Sequence, residues 1–231
     1  MNSSMPLVEA RGLAVGHAQR TLFGGVDMTV NAGEIWCVLG PNGSGKTTLF
    51  RTLLGLLPAR EGGVHLGGEL VARLDAPARA RRAAYVPQIV SSPFAFRVLD
   101  IVLMGRTAHL GLFASPGASD HAAAVAAMQG LGIASLAERA FATLSGGEQR
   151  LVFIARALAQ DAPLLVLDEP AAHLDIAQQA KILAIVRRLA SGPRAVMFST
   201  HDPAHALDIA THVLMVSHGG SLLHGPARDL L

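Results

Sequence analysis

The 231-residue sequence predicts one α/β domain built on a mainly parallel sheet that is covered on both faces. Three observations carry that prediction. The apolar run Ile35–Leu39 enters a glycine-rich turn, Gly40–Thr48, which opens onto a helical pattern. Short, mainly apolar runs at Leu164–Leu167 and Ala195–Ser199 alternate with helical patterns, as buried parallel strands do. Between Ile89 and Leu144 that alternation stops, and Pro, Phe and Gly punctuate helical stretches, which marks an α-helical insert.

Taken in order, Leu7–Leu13 reads as a first strand and Val26–Val30 as a second. Asn31-Ala32-Gly33 is the turn into Ile35–Leu39. The helical pattern after the glycine-rich turn runs from Thr48 to Leu57, with Pro58 as its stop. Glu61–Leu70 predicts a short hairpin with glycine turns, and Arg73–Arg82 places four arginines on a solvated helix face. Ala84–Gln88 ends another strand. Inside the insert Val98–Met104 is helical, and Ser119 is the expected N-cap of a helix over Asp120–Gln129. Glu148–Gln160 is helical, as is Ile176–Ala190, which stops at Ser191-Gly192-Pro193. A short helix starts at Pro203, and His212–Val216 and Ser221–Leu223 close as strands around Gly219-Gly220.

Composition narrows the classes. Hydrophobic residues make up 51% and charged residues 16%, which excludes a disordered chain. The mean hydropathy of +0.40 invites a membrane reading, but no apolar run reaches about 18 residues. The nearest, Ala122–Ala137, is broken by Gln129, Gly130, Gly132 and Ser135. Lys+Arg of 19 against Asp+Glu of 17 is no nucleic-acid footprint, and no nucleic-acid partner is expected. Cys37, the only cysteine, sits in an apolar strand, so an inert buried thiol and a reducing cytoplasm are expected. The first six residues have no charged or long apolar segment, so no secretion signal is expected.

The chemistry begins at Gly40-Pro41-Asn42-Gly43-Ser44-Gly45-Lys46-Thr47-Thr48, which fits G-x-x-x-x-G-K-[ST] between a strand and a helix. Its glycines let successive N–H groups curl around phosphate oxygens, and the helix N-terminus adds positive partial charge. Lys46 reaches for β/γ-phosphates and the Thr47 hydroxyl for Mg²⁺. Asp168 and Glu169 follow four apolar residues, which puts two carboxylates at a strand tip facing the same nucleotide. Asp168 is the expected Mg²⁺ holder and Glu169 the general base. Ser145-Gly146-Gly147 precedes a helical pattern and offers a second helix N-terminus with free N–H groups.

With Leu144-Ser145-Gly146-Gly147-Glu148 in place, the sequence resembles the ATP-binding-cassette (ABC) ATPases over nearly its whole length. Gly40–Thr48 looks like Walker A, Gln88 like the Q-loop, Leu144–Glu148 like the signature and Leu164–Asp168 like Walker B. Glu169 falls on the catalytic carboxylate, Ala172–Asp175 on the D-loop and His201 on the switch histidine. The resemblance implies a P-loop NTPase (RecA-like) parallel-sheet core with a small antiparallel β subdomain and an α-helical insert. It would form one domain over 1–231, with the core at 1–88 and 156–231 and the helical subdomain at 89–155. It implies ATP and Mg²⁺, and two copies meeting head to tail so that Ser145, Gly146 and Gly147 of one contact the γ-phosphate on the P-loop of the other. Gln88 would ligate Mg²⁺ or the lytic water and report to the partner. His201 would orient that water, and Asp175 would lie near the nucleotide. One departure stands out: His17 occupies the place of the aromatic residue that stacks on adenine, and offers less area than a phenol. His173 is assigned to packing or to the interface between copies.

No fused membrane span is present, so a transport role requires separate permease subunits and, for import, an extracytoplasmic binding protein. The chain would then sit peripherally on the cytoplasmic face of the membrane. The stretch Ala137–Thr143 lacks the pattern exporters carry before the signature. Val86-Pro87-Gln88, Ser91–Phe96 and Val98–Arg106 are similar to the cassettes of importers for siderophores, haem, cobalamin, or molybdate and tungstate. The 89–116 insert would receive the permease, with Phe94, Phe96, His109, Leu110 and Phe113 as an apolar seat. A soluble ABC-type ATPase acting on a macromolecule, an importer for another small solute, and a P-loop kinase remain alternatives.

Overall fold

A computed structural model describes residues 5–17, 20–88, 96–111, 114–190, 192–217 and 219–231. The strands are β1 (Val8–His17), β2 (Arg20–Val30), β3 (Ile35–Leu39), β4 (Glu61–Leu66), β5 (Glu69–Leu70), β6 (Ala83–Val86), β7 (Leu164–Leu167), β8 (Ala195–Thr200), β9 (His212–Val216) and β10 (Leu222–Pro226). The helices are α1 (Lys46–Leu53), α2 (Ala76–Arg82), α3 (Val98–Leu103), α4 (Ala118–Gly130), α5 (Gly146–Ala159), α6 (Ile176–Leu189), α7 (Pro203–Ile209) and α8 (Ala227–Leu230).

The six-stranded sheet runs β10-β9-β3-β8-β7-β6, and every neighbouring pair is parallel except the edge pair β9–β10. A second, antiparallel sheet runs β2-β1-β4-β5. Alternation inside the central strands sorts two cores. Ile35, Cys37, Leu39, Leu165, Leu167, Val196 and Phe198 face the layer formed by α3 to α7. Trp36, Val38, Leu164, Val166, Ala195 and Met197 face α1 and the antiparallel sheet. Both faces being apolar is why these strands read as continuous apolar runs. Burial also pushes the Cys37 thiol well above its ordinary pKa, so it stays protonated and inert.

Several boundaries differ from expectation: β2 starts at Arg20 rather than Val26, and the last strand runs to Pro226 rather than Leu223. α1 ends at Leu53, four residues early, because Gly55 adopts φ +68°. Its N–H donates to the Thr52 carbonyl and that of Leu56 to the Arg51 carbonyl, the paired bonds of a left-handed helix stop. α4 starts at Ala118 with Gly117 as N-cap, so Ser119 lies inside the helix. Asp120 takes over the cap by accepting from the Gly117 N–H at 3.0 Å while pairing with Arg106. β1 runs on to His17 through register shifts that the alternation of Leu7–Leu13 does not show. Residue 155 lies inside α5, so the subdomain division expected there runs through one continuous helix.

The parallel register aligns the functional termini. Leu39 pairs with Thr200, Leu167 with Phe198, and Val86 with Leu167. Gly40, Asp168, His201 and the Pro87-Gln88 segment therefore emerge at one carboxyl edge, where ligands sit in open α/β sheets.

Candidate nucleotide site

The glycine-rich turn is held to β8 by the Gly40 N–H, which donates to the Thr200 carbonyl at 3.1 Å. Gly43 and Gly45 take φ +78° and +102°, conformations that cost a side-chain-bearing residue but curl the N–H groups inward. Lys46 is buried, and its Nζ donates to the carbonyls of Gly40 at 2.7 Å and Pro41 at 3.1 Å. It also lies 3.0 Å from Glu169 Oε1, at ion-pair distance without hydrogen-bond geometry. Ser44 Oγ is buried with no hydrogen-bond partner among the described residues. An orphaned hydroxyl and a lysine resting on its own loop's carbonyls are what a phosphate-bearing ligand would satisfy.

Asp168, 1% exposed, accepts three side-chain hydrogen bonds. Its Oδ2 accepts from Thr47 Oγ1 at 2.7 Å and from the Tyr85 hydroxyl at 3.1 Å. Its Oδ1 accepts from Ser199 Oγ at 2.6 Å. Ser199 Oγ in turn accepts from the Glu169 N–H at 2.8 Å. Burial, and then the Asp168 charge, raise the Tyr85 pKa to about 12, so this hydroxyl remains a donor at any ordinary pH. Thr47 and Asp168 thus share a geometry that a divalent cation could enter through their oxygens.

Glu169 has φ +49°, a strained conformation for a residue with a side chain, which sets its carboxylate at the mouth of the site. Oε2 lies 3.1 Å from His201 Nδ1, and His201 is itself 54% exposed in its side chain. The carboxylate therefore stands between a buried ammonium and an exposed imidazole, as a group that moves a proton requires.

Two clefts meet here. One, of about 390 Å³, is lined by His17, Leu22, Lys46, Thr47, Gln88 and Glu169. The other, of about 240 Å³, shares Asn42, Gln88 and Glu169 and extends to His173, His201 and His205. His17 Nε2 lies 2.8 Å from Thr48 Oγ1, so the expected adenine platform is tied to the first turn of α1.

Other expected residues lie apart. Ser145 caps α5 in a reciprocal arrangement with Glu148, whose Oε2 accepts from the Ser145 N–H and hydroxyl. Ser145 and Gly147 line a different cavity, with Gln178 and Lys181. Asp175 caps α6 by accepting from the Gln178 N–H at 2.8 Å and lines neither nucleotide cleft. Of the apolar seat, Phe94 and Phe113 lie outside the described residues. Phe96 is exposed, Leu110 is half-buried, and the His109 ring meets the Gln160 carbonyl at 2.7 Å. Tyr85, Ser199 and Arg150 lie inside strand or helix patterns that carry no site signal in the sequence. Only strand order brings the first two to Asp168.

The comparisons agree with this geometry. The family model described as ABC transporter matches residues 23–172. A molybdate import ATP-binding protein, MolC, of Haemophilus influenzae is 39% identical over 215 residues, covering 93% of this chain and 79% of that protein. A hemin import ATP-binding protein, HmuV, of Streptomyces coelicolor is 41% identical over 224 residues, covering 97% and 79%. A solved inward-facing structure of a proposed metal-chelate type ABC transporter is 36% identical, with a TM-score of 0.87 and coverage of 98% and 85%. With its glycine-rich loop, paired carboxylates and His201 gathered on one sheet edge, this chain belongs to the ABC transporter family.

Proposed function

We propose that this chain is the ATP-binding and ATP-hydrolysing subunit of a multi-subunit importer. Its cargo would be a metal chelate or an oxyanion: an iron–siderophore, haem, cobalamin, or molybdate and tungstate. It works as a head-to-tail pair bound through separate permease subunits to the cytoplasmic face of the membrane, with an extracytoplasmic binding protein delivering the cargo. Among the described residues no helix is long and apolar enough to cross a membrane, which fits a peripheral subunit.

The observation that carries the reading is the state of Lys46 and Ser44. One rests on backbone carbonyls and Glu169, and the other is buried without a partner. When ATP binds, Lys46 turns to the β/γ-phosphates and Ser44 gains an acceptor, which releases Glu169 to take a proton from water. His201 holds Glu169 and orients that water. Thr47 and Asp168, with Gln88 nearby, would hold Mg²⁺, which would supply charge neutralisation for the phosphates. Ser145, Gly146 and Gly147 line no part of the P-loop clefts; the Ser145 N–H is taken by Glu148 within its own chain, which leaves the N–H groups of Gly146 and Gly147 to a second copy's γ-phosphate. The His17 imidazole seats the adenine. Relatives named for molybdate and hemin import support the cargo class.

The test is turnover by the purified chain alone and with its co-expressed permease. ADP and phosphate released in equal amounts, with turnover raised by the permease in liposomes, support the reading. Stimulation by nucleic acid, or phosphoryl transfer to an acceptor other than water, overturns it.

A further inference from the structure

Arg150 sits on α5 and is 8% exposed, yet no carboxylate pairs with it among the described residues. Its two terminal nitrogens donate to backbone carbonyls instead: Nη1 to Pro87 at 2.9 Å and Nη2 to Gln88 at 2.8 Å. Desolvation lowers its pKa, and the charges of Asp168 and Glu169 act against that lowering, so the guanidinium lies within the field of the catalytic carboxylates. Burying a guanidinium on two carbonyls is a costly way to fill space, because an apolar side chain of the same length would pack there with no charge to desolvate. The planar fork does what an apolar chain cannot: it fixes two successive carbonyls relative to one helix.

That helix starts at the signature turn. Ser145 caps it, and Arg150 lies five residues on, about 7.5 Å along the axis at the helical rise. Because α5 is a continuous 14-residue helix, a displacement of Ser145–Gly147 is carried to Arg150 and from there to the Gln88 backbone. In the paired arrangement proposed above, on which this inference rests, the two ends of that link serve different ATP molecules. Gln88 lines the cleft of its own P-loop, while Ser145–Gly147 engage the nucleotide of the partner. We infer that Arg150 is a positioning residue that couples the two ATP sites, setting Gln88 at one site according to whether the signature turn is engaged at the other.

The experiment compares Arg150→Met and Arg150→Lys with the wild-type chain. ATP affinity is measured with a fluorescent ATP analogue in the Glu169→Gln background, and turnover as a function of ATP in the hydrolysing background. Arg150→Met should keep ATP affinity within about 2-fold, lower kcat about 10-fold and lose the sigmoidal dependence on ATP, in the range of ordinary coupling energies. Arg150→Lys, which keeps the charge but not the fork, should fall between. Wild-type kcat and sigmoidicity in Arg150→Met overturn the inference, as does a parallel loss of affinity and kcat. If Arg150→Met does not fold, Arg150→Lys decides by the same split. A wild-type chain that shows no sigmoidicity, and whose Glu169→Gln variant forms no ATP-dependent dimer, removes the paired arrangement itself and this inference with it.

Discussion

The P-loop edge and the signature turn both present a helix N-terminus, but they differ in what they have left to give. At the P-loop edge Lys46, Thr47, Asp168, Ser199, Glu169 and His201 lie within hydrogen-bond or ion-pair distance of one another, mostly out of solvent. At the signature turn Ser145 and Glu148 close a local cap, Ser145 and Gly146 stay exposed, and the adjoining cavity shares no lining residue with the P-loop clefts among the described residues. One end gathers the groups of the proposed reaction centre. The other caps its own helix and, in the proposed pair, serves the second copy. Sequence motifs of similar glycine content thus encode opposite behaviours, and the polar groups around each decide which.

Four substitutions bear on that contrast, the largest effect first. Glu169→Gln should cut hydrolysis at least about 100-fold while leaving ATP binding intact and trapping an ATP-bound dimer. Phosphate release and size-exclusion chromatography check this, and normal turnover would remove Glu169 as the base. Gly147→Leu acts on the other end: a Cβ there already meets the Gln178 side chain at 3.0 Å. It should lower hydrolysis about 100-fold by blocking the turn's N–H groups, with ATP affinity of the single chain unchanged. Weakened ATP binding by that variant would mean the turn acts within its own chain. His17→Tyr should tighten binding of ATP about 5-fold through greater stacking area, read by titration calorimetry. Unchanged affinity would place the adenine seat elsewhere. Asp175→Ala should do least, lowering Tm by about 3 °C through loss of the α6 cap, with ATP affinity kept. A drop in affinity would return Asp175 to the nucleotide site.

Much of the site was legible because its groups act through contiguous backbone. Lys46 and Thr47 follow their glycines by fixed spacing, and Asp168 and Glu169 terminate a run too apolar to be anything but a buried strand. Tyr85 was not legible as a site residue, because its bond to Asp168 requires β6 to lie beside β7. Ser199 likewise needed β8 on the other side of β7. The end of α1 was missed for another reason. Gly55 lies inside an apolar run, and only its positive φ turns it from a tolerated helix residue into a stop. Asp175 matches a motif, and its role as the α6 cap follows from a carboxylate standing next to free helix N–H groups.

By itself, the sequence determined the phosphate loop, the acidic strand tip, the signature turn and the α/β class, all of which rest on residues close together in the chain. Tertiary structure decided which strands neighbour one another, and so which hydroxyls hold Asp168. It decided that Lys46 rests against Glu169, and that Arg150 reaches 62 residues back to Gln88. Local propensity and spacing act over a few residues. The choice of neighbours across a sheet is made by burial and register over the whole chain.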